Sequence, residues 1–218
     1  MSYQIAIDGP AGAGKSTIAK KVAKTKGFIY VDTGAMYRAM AYYLLMEKVN
    51  PENEKEIAKK CQGANITIRY VDGEQVVLLN GENVNGVLRT EEVGNMASTT
   101  SKNPKVRERL TQLQKELAAK NDVVMDGRDI GTCVLPNADV KIYLTASSAV
   151  RAKRRFDELT AKGESCDIKK IEEDIVKRDH QDMNREIAPL KQAEDAYLVD
   201  SSYMTIEEVV QKILSFCK

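Results

Sequence analysis

Short apolar runs rich in β-branched residues alternate along the chain with longer stretches whose apolar positions recur at helical spacing. The short runs predict strands at residues 3–7, 28–33, 122–126, 140–145 and 196–200, and the stretches between them predict helices. Strands that alternate with helices in this way form parallel sheets. The pattern therefore predicts an α/β fold on a five-stranded, doubly wound parallel sheet, with ligands beyond the carboxyl ends of the strands.

Two segments interrupt this order. At residues 65–87, polar and apolar positions alternate with period two around an Asp72-Gly73 turn, which predicts a small antiparallel β insert extending with helices to about residue 103. The alternative is that these strands only lengthen the main sheet at one edge. A polar break at 161–167 separates two charged helices, the second of which is predicted at 168–184.

Helix ends carry recognisable capping residues. Asn103 and Pro104 predict the N-cap and the first residue of a long helix that continues to about residue 120. Thr205 and Glu208 form a T-x-x-E capping box, which predicts the start of the last helix.

The composition fits one globular domain that spans residues 1–218. A net charge of +1 gives no electrostatic reason to expect nucleic acid as a partner, and no apolar run approaches the roughly 20 residues that span a membrane. Four separated cysteines and one histidine argue against a zinc site or a disulfide framework. Because no signal peptide precedes the first strand, we expect a cytoplasmic protein, with a monomer as the default state.

The clearest chemical motif is GPAGAGKST, between the first strand and the first helix, which fits the phosphate-binding loop G-x-x-x-x-G-K-[ST]. Its nine residues are Gly9, Pro10, Ala11, Gly12, Ala13, Gly14, Lys15, Ser16 and Thr17. In such a loop, backbone N–H groups and the helix N-terminus surround phosphate oxygens. We expect Lys15 to reach the β- and γ-phosphates of a nucleotide and the Ser16 hydroxyl to ligate Mg²⁺. The alternative, a glycine-rich turn without a ligand, is disfavoured by the strand-loop-helix context.

Charged residues collect at the same edge of the predicted sheet. Asp32 and Thr33 follow the second strand, GRDIGT at 127–132 follows the third, and arginines lie on the two helices beside the polar break. Phosphoryl transfer requires positioned substrates and positive charge at the transferring group. Arginine suits this task because its planar fork binds phosphate bidentately and stays charged.

Four stretches, GPAGAGKST, VDTGAMYRA, MDGRDIGT and RDHQDMNREIAPL, together resemble the bacterial cytidylate kinases, a family of nucleoside monophosphate kinases. The resemblance covers essentially the whole chain, including the β insert. It implies a P-loop kinase that transfers the γ-phosphoryl group of ATP to CMP or dCMP with Mg²⁺. It also implies that the insert binds the monophosphate, that residues 151–168 form a lid, and that small nucleotides, rather than nucleic acid or membranes, are the partners.

By this resemblance the phosphate loop holds ATP, and Lys15 bridges donor and acceptor phosphates. The residues expected at the acceptor nucleotide are Thr33, Tyr37, Arg38, Ser98, Arg107, Arg128, Asp129, Arg178, Asp182 and Arg185. Among them, Ser98, Arg107 and Asp129 match positions that read the cytosine, and Thr33 stands where many members carry serine. The residues expected to be catalytic are Lys15, Arg128, Arg185 and the lid-helix arginine Arg154.

The residues alone leave other interpretations open. Arg151 and Arg155, like Arg154, resemble lid-helix arginines, but an arginine-rich helix is usually a solvated face, and both alternatives stay open for these two residues. Arg107 could be a surface residue of its helix. Asp126 either holds water around Mg²⁺ or caps the turn at Gly127. For the whole chain, the rivals are a monophosphate kinase of other base specificity and a phosphate-loop switch protein, although the N-K-x-D guanine signature is missing from the sequence.

Overall fold

The computed structural model describes residues 2–218, which divide into two compact units. We call Ile29–Asn121 the inserted unit, and Tyr3–Phe28 together with Asp122–Lys218 the phosphate-loop unit. A single functional domain with a β insert at 65–87 and a lid at 151–168 stays a prediction. None of the described helices is long and apolar enough to cross a membrane.

The described residues form eight strands and eight α-helices. The strands are β1 (Gln4–Asp8), β2 (Ile29–Asp32), β3 (Ile66–Val71), β4 (Glu74–Leu79), β5 (Glu82–Asn83), β6 (Val123–Gly127), β7 (Val140–Thr145) and β8 (Tyr197–Asp200). The helices are α1 (Lys15–Lys26), α2 (Thr33–Met46), α3 (Glu54–Lys60), α4 (Glu91–Thr100), α5 (Pro104–Lys120), α6 (Ser148–Ala161), α7 (Ile168–Asn184) and α8 (Ile206–Leu214).

The main sheet is five-stranded and parallel, with the strand order β2-β6-β1-β7-β8. Within the phosphate-loop unit, β1 is central and pairs with β6 on one side and with β7 on the other. Its residues Ile5, Ala6 and Ile7 have no exposed surface, as expected of a strand that is covered on both faces. The predicted α/β fold is confirmed, and the carboxyl ends of β1 and β6 bring Asp8 and Gly127 into register.

A second, antiparallel sheet lies in the inserted unit and contains β3, β4 and β5 in that order. Its first hairpin turns at Asp72 and Gly73, whose φ angles of 52° and 78° match the predicted turn. Because this sheet is separate, the alternative that its strands lengthen the main sheet is wrong. The short strand β5 was not predicted, since two residues carry no periodic pattern.

Capping residues fix the helix ends where the sequence predicted them. The side chain of Asn103 accepts a hydrogen bond from the amide of Lys105 at 3.0 Å, and Pro104 begins α5. Thr205 and Glu208 form the complete capping box of α8. One element has no sequence signal: the segment after Asp129 forms a π-helical turn, Ile130–Val134.

Candidate active site

The phosphate loop connects the end of β1 at Asp8 to the start of α1 at Lys15. Gly14 precedes α1 in the left-handed conformation, with a φ angle of 85°. Gly9 has a φ angle of 153°, and a Cβ atom at this position would lie 1.9 Å from the carbonyl oxygen of Leu144. The chain therefore leaves the sheet along a path that only glycine allows, and it places the N-terminus of α1 at the end of β1.

Lys15 is the buried cation of this loop, with 6% of its surface exposed. Its Nζ atom donates a hydrogen bond of 2.7 Å to the carbonyl oxygen of Pro10. Burial lowers the pKa of Lys15 well below its ordinary value, and the nearby Arg128 cation lowers it further, whereas the Asp126 carboxylate opposes the shift. A polyanionic ligand in the loop would favour the charged ammonium form, so the site is electrostatically prepared for phosphate.

Ser16 and Asp126 place two oxygen groups side by side at the start of α1. The Ser16 hydroxyl donates a hydrogen bond of 3.1 Å to Oδ2 of Asp126, which is the fourth residue of β6 and is 5% exposed. Among the described residues, no group of three or more His, Cys, Asp or Glu is arranged to hold a metal ion. Mg²⁺ is commonly held by one or two protein oxygens together with substrate phosphates and water, and this pair fits that mode of binding.

Two arginines and two aspartates form an ion-pair network between the end of β6 and the end of α7. Arg128 donates from Nε to Oδ2 of Asp182 at 2.9 Å. Arg185 donates to Asp129 at 3.3 Å, and its second terminal nitrogen lies 3.8 Å from Asp182. A guanidinium has five N–H donors, and Arg128 uses two of them in hydrogen bonds to the Asp182 carboxylate and the Gly127 carbonyl oxygen. The network thus fixes Arg128 while leaving it donors for an anion.

Asp8 holds the turn that follows Asp129. Its carboxylate accepts hydrogen bonds from the backbone amides of Ile130 at 2.8 Å and Gly131 at 2.7 Å. Burial raises the pKa of Asp8 to about 6, and the two amide hydrogen bonds oppose that shift. Asp8 is not among the predicted site residues, although its position at the end of a strand, directly before Gly9, is a signal in the sequence.

In the inserted unit, the start of α2 is fixed from two directions. Asp32 caps the helix by accepting a hydrogen bond of 2.9 Å from the amide of Ala35, and Thr33 begins the helix with 3% of its surface exposed. The Gln75 side chain of β4 accepts from the Asp32 amide at 2.8 Å and donates to the Asp32 carbonyl at 3.3 Å. The small sheet is therefore attached to the helix start that carries Thr33.

The same unit brings Tyr37 of α2 and Arg107 of α5 together. The guanidinium carbon of Arg107 lies 5.5 Å from the centre of the Tyr37 ring, a cation–π distance. Arg107 is 5% exposed, so its interpretation as a surface residue is wrong. Arg38 curls back toward the first turn of α2, since a Cβ atom at Gly34 would lie 3.3 Å from its Nη1 atom. Ser98 lies on α4 and is half-buried.

The arginines of α6 have three different environments. Arg151 is buried, with 6% of its surface exposed, and forms an ion pair with Asp179, so the solvated-face interpretation is wrong for it. Arg154 donates to the carbonyl oxygen of Ser201 at 2.7 Å and to its hydroxyl at 3.1 Å. Arg155 is exposed, as the solvated-face interpretation expects.

Comparison with known proteins decides the family. The family model described as Cytidylate kinase matches residues 5–218. The chain belongs to the cytidylate kinase family. A protein named cytidylate kinase from Caldicellulosiruptor bescii is 53% identical and covers 96% of this chain and 93% of its own length. Another from Bacillus cereus (strain B4264) is 49% identical, covering 97% of this chain and 94% of its own length.

The solved structures add support for the fold alone. The shikimate kinase structure from Bacteroides thetaiotaomicron matches with a TM-score of 0.50 at 14% identity and covers 98% of this chain and 97% of that one. At this level of identity, only the arrangement of helices and strands is shared.

In this member of the cytidylate kinase family, the predicted site residues fall into two sets, one in each unit. The phosphate-loop unit contains the loop residues 9–17, Arg128, Asp129, Arg154, Arg178, Asp182 and Arg185. The inserted unit contains Thr33, Tyr37, Arg38, Ser98 and Arg107. Arg178 is half-buried on α7. The individual roles that the resemblance implies for these residues stay predictions.

Of two buried residues beside the loop, one was missed and the other was left with two interpretations. Asp179 was not singled out, although it lies three residues before Asp182 and therefore on the same face of α7. For Arg151 the sequence leaves a lid residue and a solvated residue as alternatives, because its helix carries four basic residues in five positions, 151–155. Helical spacing from Asp182, a predicted site residue, was the signal that could have found Asp179.

Proposed function

We propose that this chain transfers the γ-phosphoryl group of ATP to CMP or dCMP, with Mg²⁺, giving ADP and the nucleoside diphosphate. The observation that carries the proposal is the position of Lys15. Its Nζ atom bonds to the loop at Pro10, while its charge interacts with Arg128 and Asp182 of the ion-pair network. One buried cation thus interacts with both the phosphate loop and the ion-pair network, which supports an acceptor phosphate bound beside the donor nucleotide.

The donor half of the proposal rests on the loop. Its backbone amides and the N-terminus of α1 bind the β- and γ-phosphates of ATP, and Lys15 follows the charge that develops on the transferring group. Because Lys15 is already desolvated, it needs no reorganisation at the moment of transfer.

The acceptor half rests on Arg128 and Arg185, whose guanidinium groups bind the monophosphate opposite the loop. Both are oriented by carboxylates, Arg128 by Asp182 and Arg185 by Asp129 and Asp182. The attacking phosphate oxygen is anionic at neutral pH, so no general base is required. The chain's own task is therefore alignment, charge stabilisation and the exclusion of water.

Ser16 and Asp126 are the residues that would hold Mg²⁺, the first directly and the second directly or through water. Their oxygens are 3.1 Å apart, and the pair lies at the start of the helix that the loop precedes. When bound, the ion neutralises charge on the β- and γ-phosphates of the nucleotide.

Recognition of the base is assigned to groups with the required hydrogen-bonding character. Cytosine presents an amine donor and the acceptors N3 and O2. The Asp129 carboxylate or the Ser98 hydroxyl can accept from the amine, and Arg107 can donate to N3 and O2. Thr33, Tyr37 and Arg38 are assigned to the monophosphate. A uracil would face a carboxylate with its own acceptor, which leaves buried polar groups unpaired and costs affinity.

The β insert and the polar break near Gly163 are assigned to closure over bound substrates, with Arg154 among the lid residues that then reach the phosphates. The proposed reaction needs only small nucleotides as partners. A cytoplasmic monomer is sufficient for it.

A substrate panel on two matched variants tests the proposal. Lys15→Met should lower transfer to CMP by about 1,000-fold, while its circular dichroism and melting temperature stay near those of the wild type. Lys24→Met, on the exposed face of the same helix, should retain full activity. Coupled ADP release is measured with CMP, dCMP, UMP and AMP as acceptors. Preference for AMP, ATP hydrolysis that ignores the acceptor, or full activity of Lys15→Met would contradict the proposal.

A further inference from the structure

The buried ion pair of Arg151 and Asp179 binds one residue of the phosphate loop, Ala11, through both its backbone amide and its backbone carbonyl. Asp179 Oδ1 accepts a hydrogen bond of 3.0 Å from the Ala11 amide. Arg151 Nη1 donates a hydrogen bond of 2.7 Å to the Ala11 carbonyl and one of 2.5 Å to Asp179. Both side chains are at most 10% exposed. The amide and the carbonyl of Ala11 are therefore fixed by a single charged pair.

This pair joins the loop to two helices at once. Arg151 lies on α6, and its Nε atom also donates to the carbonyl oxygen of Ala146, just before that helix. Asp179 lies on α7, and Ser148 at the start of α6 donates to Glu172 of α7. The hydrogen bond to Ala146 thus orients the Arg151 guanidinium at the start of α6. Asp179 lies on α7, which is itself bonded to the start of α6 through Ser148 and Glu172.

The next loop residue, Gly12, packs closely against these two helices. Gly12 has a φ angle of 73°, and a Cβ atom there would lie 3.2 Å from Cβ of Arg151 and 3.7 Å from Cδ1 of Ile175. Ile175 precedes Asp179 by one helical turn on α7. The loop therefore lies directly against the face of α7 that carries Asp179.

The same face continues to the acceptor side. Asp182 follows Asp179 by three residues on α7 and holds Arg128 and Arg185. One helix face thus contacts the donor loop through Asp179 and the ion-pair network through Asp182. A shift of α7 would move both contacts together.

We propose that Arg151 and Asp179 are positioning residues that hold the phosphate loop in its nucleotide-binding shape. Through α7, nucleotide binding in the loop is thereby linked to the arrangement of the ion-pair network of Arg128 and Arg185. The inference rests on ATP binding in the loop, as proposed above. Neither side chain needs to touch the nucleotide, because Nε and Nη1 of Arg151 and both carboxylate oxygens of Asp179 are engaged with Ala11, with Ala146 and with each other. Their effect is on the backbone amide geometry that the phosphates meet.

The test separates positioning from stability. Arg151→Met and Asp179→Asn each leave a buried partner without its counter-charge and should lower the melting temperature. Replacing both, in Arg151→Met/Asp179→Leu, removes the pair without an orphaned charge, and such replacements are often neutral for stability. Arg151→Met loses the hydrogen bond to the Ala11 carbonyl, and the double variant loses both hydrogen bonds to Ala11. Asp179→Asn keeps an oxygen that can accept from the Ala11 amide, so it removes the charge of the pair alone. The matched control is Glu207→Gln, which breaks the exposed Lys21–Glu207 pair in the same unit, outside the predicted lid.

Calorimetric titration measures binding of an ATP analogue with an imido group between its β- and γ-phosphorus atoms, in magnesium buffer, with and without saturating CMP. The double variant should melt near the wild type yet bind the analogue about tenfold or more weakly, with its Kd for CMP alone changed less than about twofold. In the wild type, saturating CMP should change the Kd of the analogue by some factor, the coupling factor. In the double variant this coupling factor should be closer to one. Steady-state KM for ATP should rise while KM for CMP stays constant.

Wild-type analogue affinity in the double variant, or an equal loss in Glu207→Gln, would overturn the positioning role. If CMP does not change the affinity of the wild type for the analogue, the proposed link through α7 is wrong. Failure of the wild type to bind the analogue would instead contradict the proposed function, and the inference with it. The two failures are therefore distinguishable.

Discussion

The carboxylate of Asp8 accepts a 2.7 Å hydrogen bond from the backbone amide of Gly131, across 123 residues of sequence. The second carboxylate oxygen accepts from Ile130, so both oxygens of a residue at the end of β1 support the turn that carries Asp129. The phosphate loop begins at the residue after Asp8. The start of the phosphate loop and the turn that carries Asp129 therefore share one buried carboxylate.

This carboxylate should make the stability of the protein depend on pH. Burial raises the pKa of Asp8 to about 6 in the folded state, against an ordinary value of 3.8. The folded state therefore holds the proton more tightly than the unfolded chain, and the stability linked to that proton is fully present below pH 3.8 and lost as pH rises through 6. The loss amounts to about 2 kcal/mol between pH 4.5 and pH 7.5.

Urea unfolding of the wild type and of Asp8→Asn across this pH range isolates the effect, because other titrating groups cancel in the difference. The free energy of unfolding of the wild type, relative to the variant, should fall as pH rises. The prediction is refuted if the free energy of unfolding of the wild type, relative to Asp8→Asn, does not change with pH or increases as pH rises.

A side chain at Gly9 should be incompatible with the fold. The added Cβ atom of Gly9→Ala would meet the backbone carbonyl of Leu144 at 1.9 Å, and a backbone atom of a central strand cannot move aside cheaply. We expect a loss of about 3 kcal/mol or more in the free energy of unfolding, measured with urea. Gly86→Ala is the control, since nothing lies within 4 Å of its Cβ position, and it should change stability by less than about 0.5 kcal/mol. Equal effects of the two substitutions would contradict the steric argument.

A buried amide on α5 should cost stability. Gln114 is 1% exposed, and its Nε2 atom has no hydrogen-bond partner among the described residues. Gln114→Met keeps a similar length without the unsatisfied donor, so we expect the free energy of unfolding to rise by about 1 kcal/mol. Gln112 of the same helix is exposed and donates to Glu116, so Gln112→Met should bring no gain. Thermal melts of both variants are the measurement. A lower stability of Gln114→Met than of the wild type would contradict the claim that the unpaired Nε2 donor costs stability.

The sequence predicted the elements whose ends carry local signals. The bounds of α5 and α7 were predicted to within about a residue, because Asn103 with Pro104 marks the first and a polar break precedes the second. Strand β5 and the π-helical turn at Ile130–Val134 were not predicted. The first is too short for a pattern, and the second depends on the carboxylate of Asp8, which is distant in sequence.

The candidate site shows the same division. The phosphate loop is a contiguous motif, so its residues were recognised from the sequence alone. The environment of Arg151 was not, because its burial depends on the Ala11 backbone and on Asp179, 140 and 28 residues away. A run of basic residues has no local feature that distinguishes the buried member from the solvated ones.

Arg107 should control both affinity for the acceptor and selectivity for its base. Its guanidinium is buried and held over the Tyr37 ring at 5.5 Å, so its position is fixed before any nucleotide arrives. Arg107→Met should raise KM for CMP by about 100-fold and KM for UMP much less, because the lost donors are those assigned to cytosine N3 and O2. Lys105→Met, on the exposed face of α5, is the matched control and should leave both values unchanged. The measurement is kcat/KM for CMP, dCMP and UMP at fixed ATP. If Arg107→Met lowers all three by the same factor, Arg107 serves the fold or the phosphate rather than the base, and its assignment to cytosine is wrong.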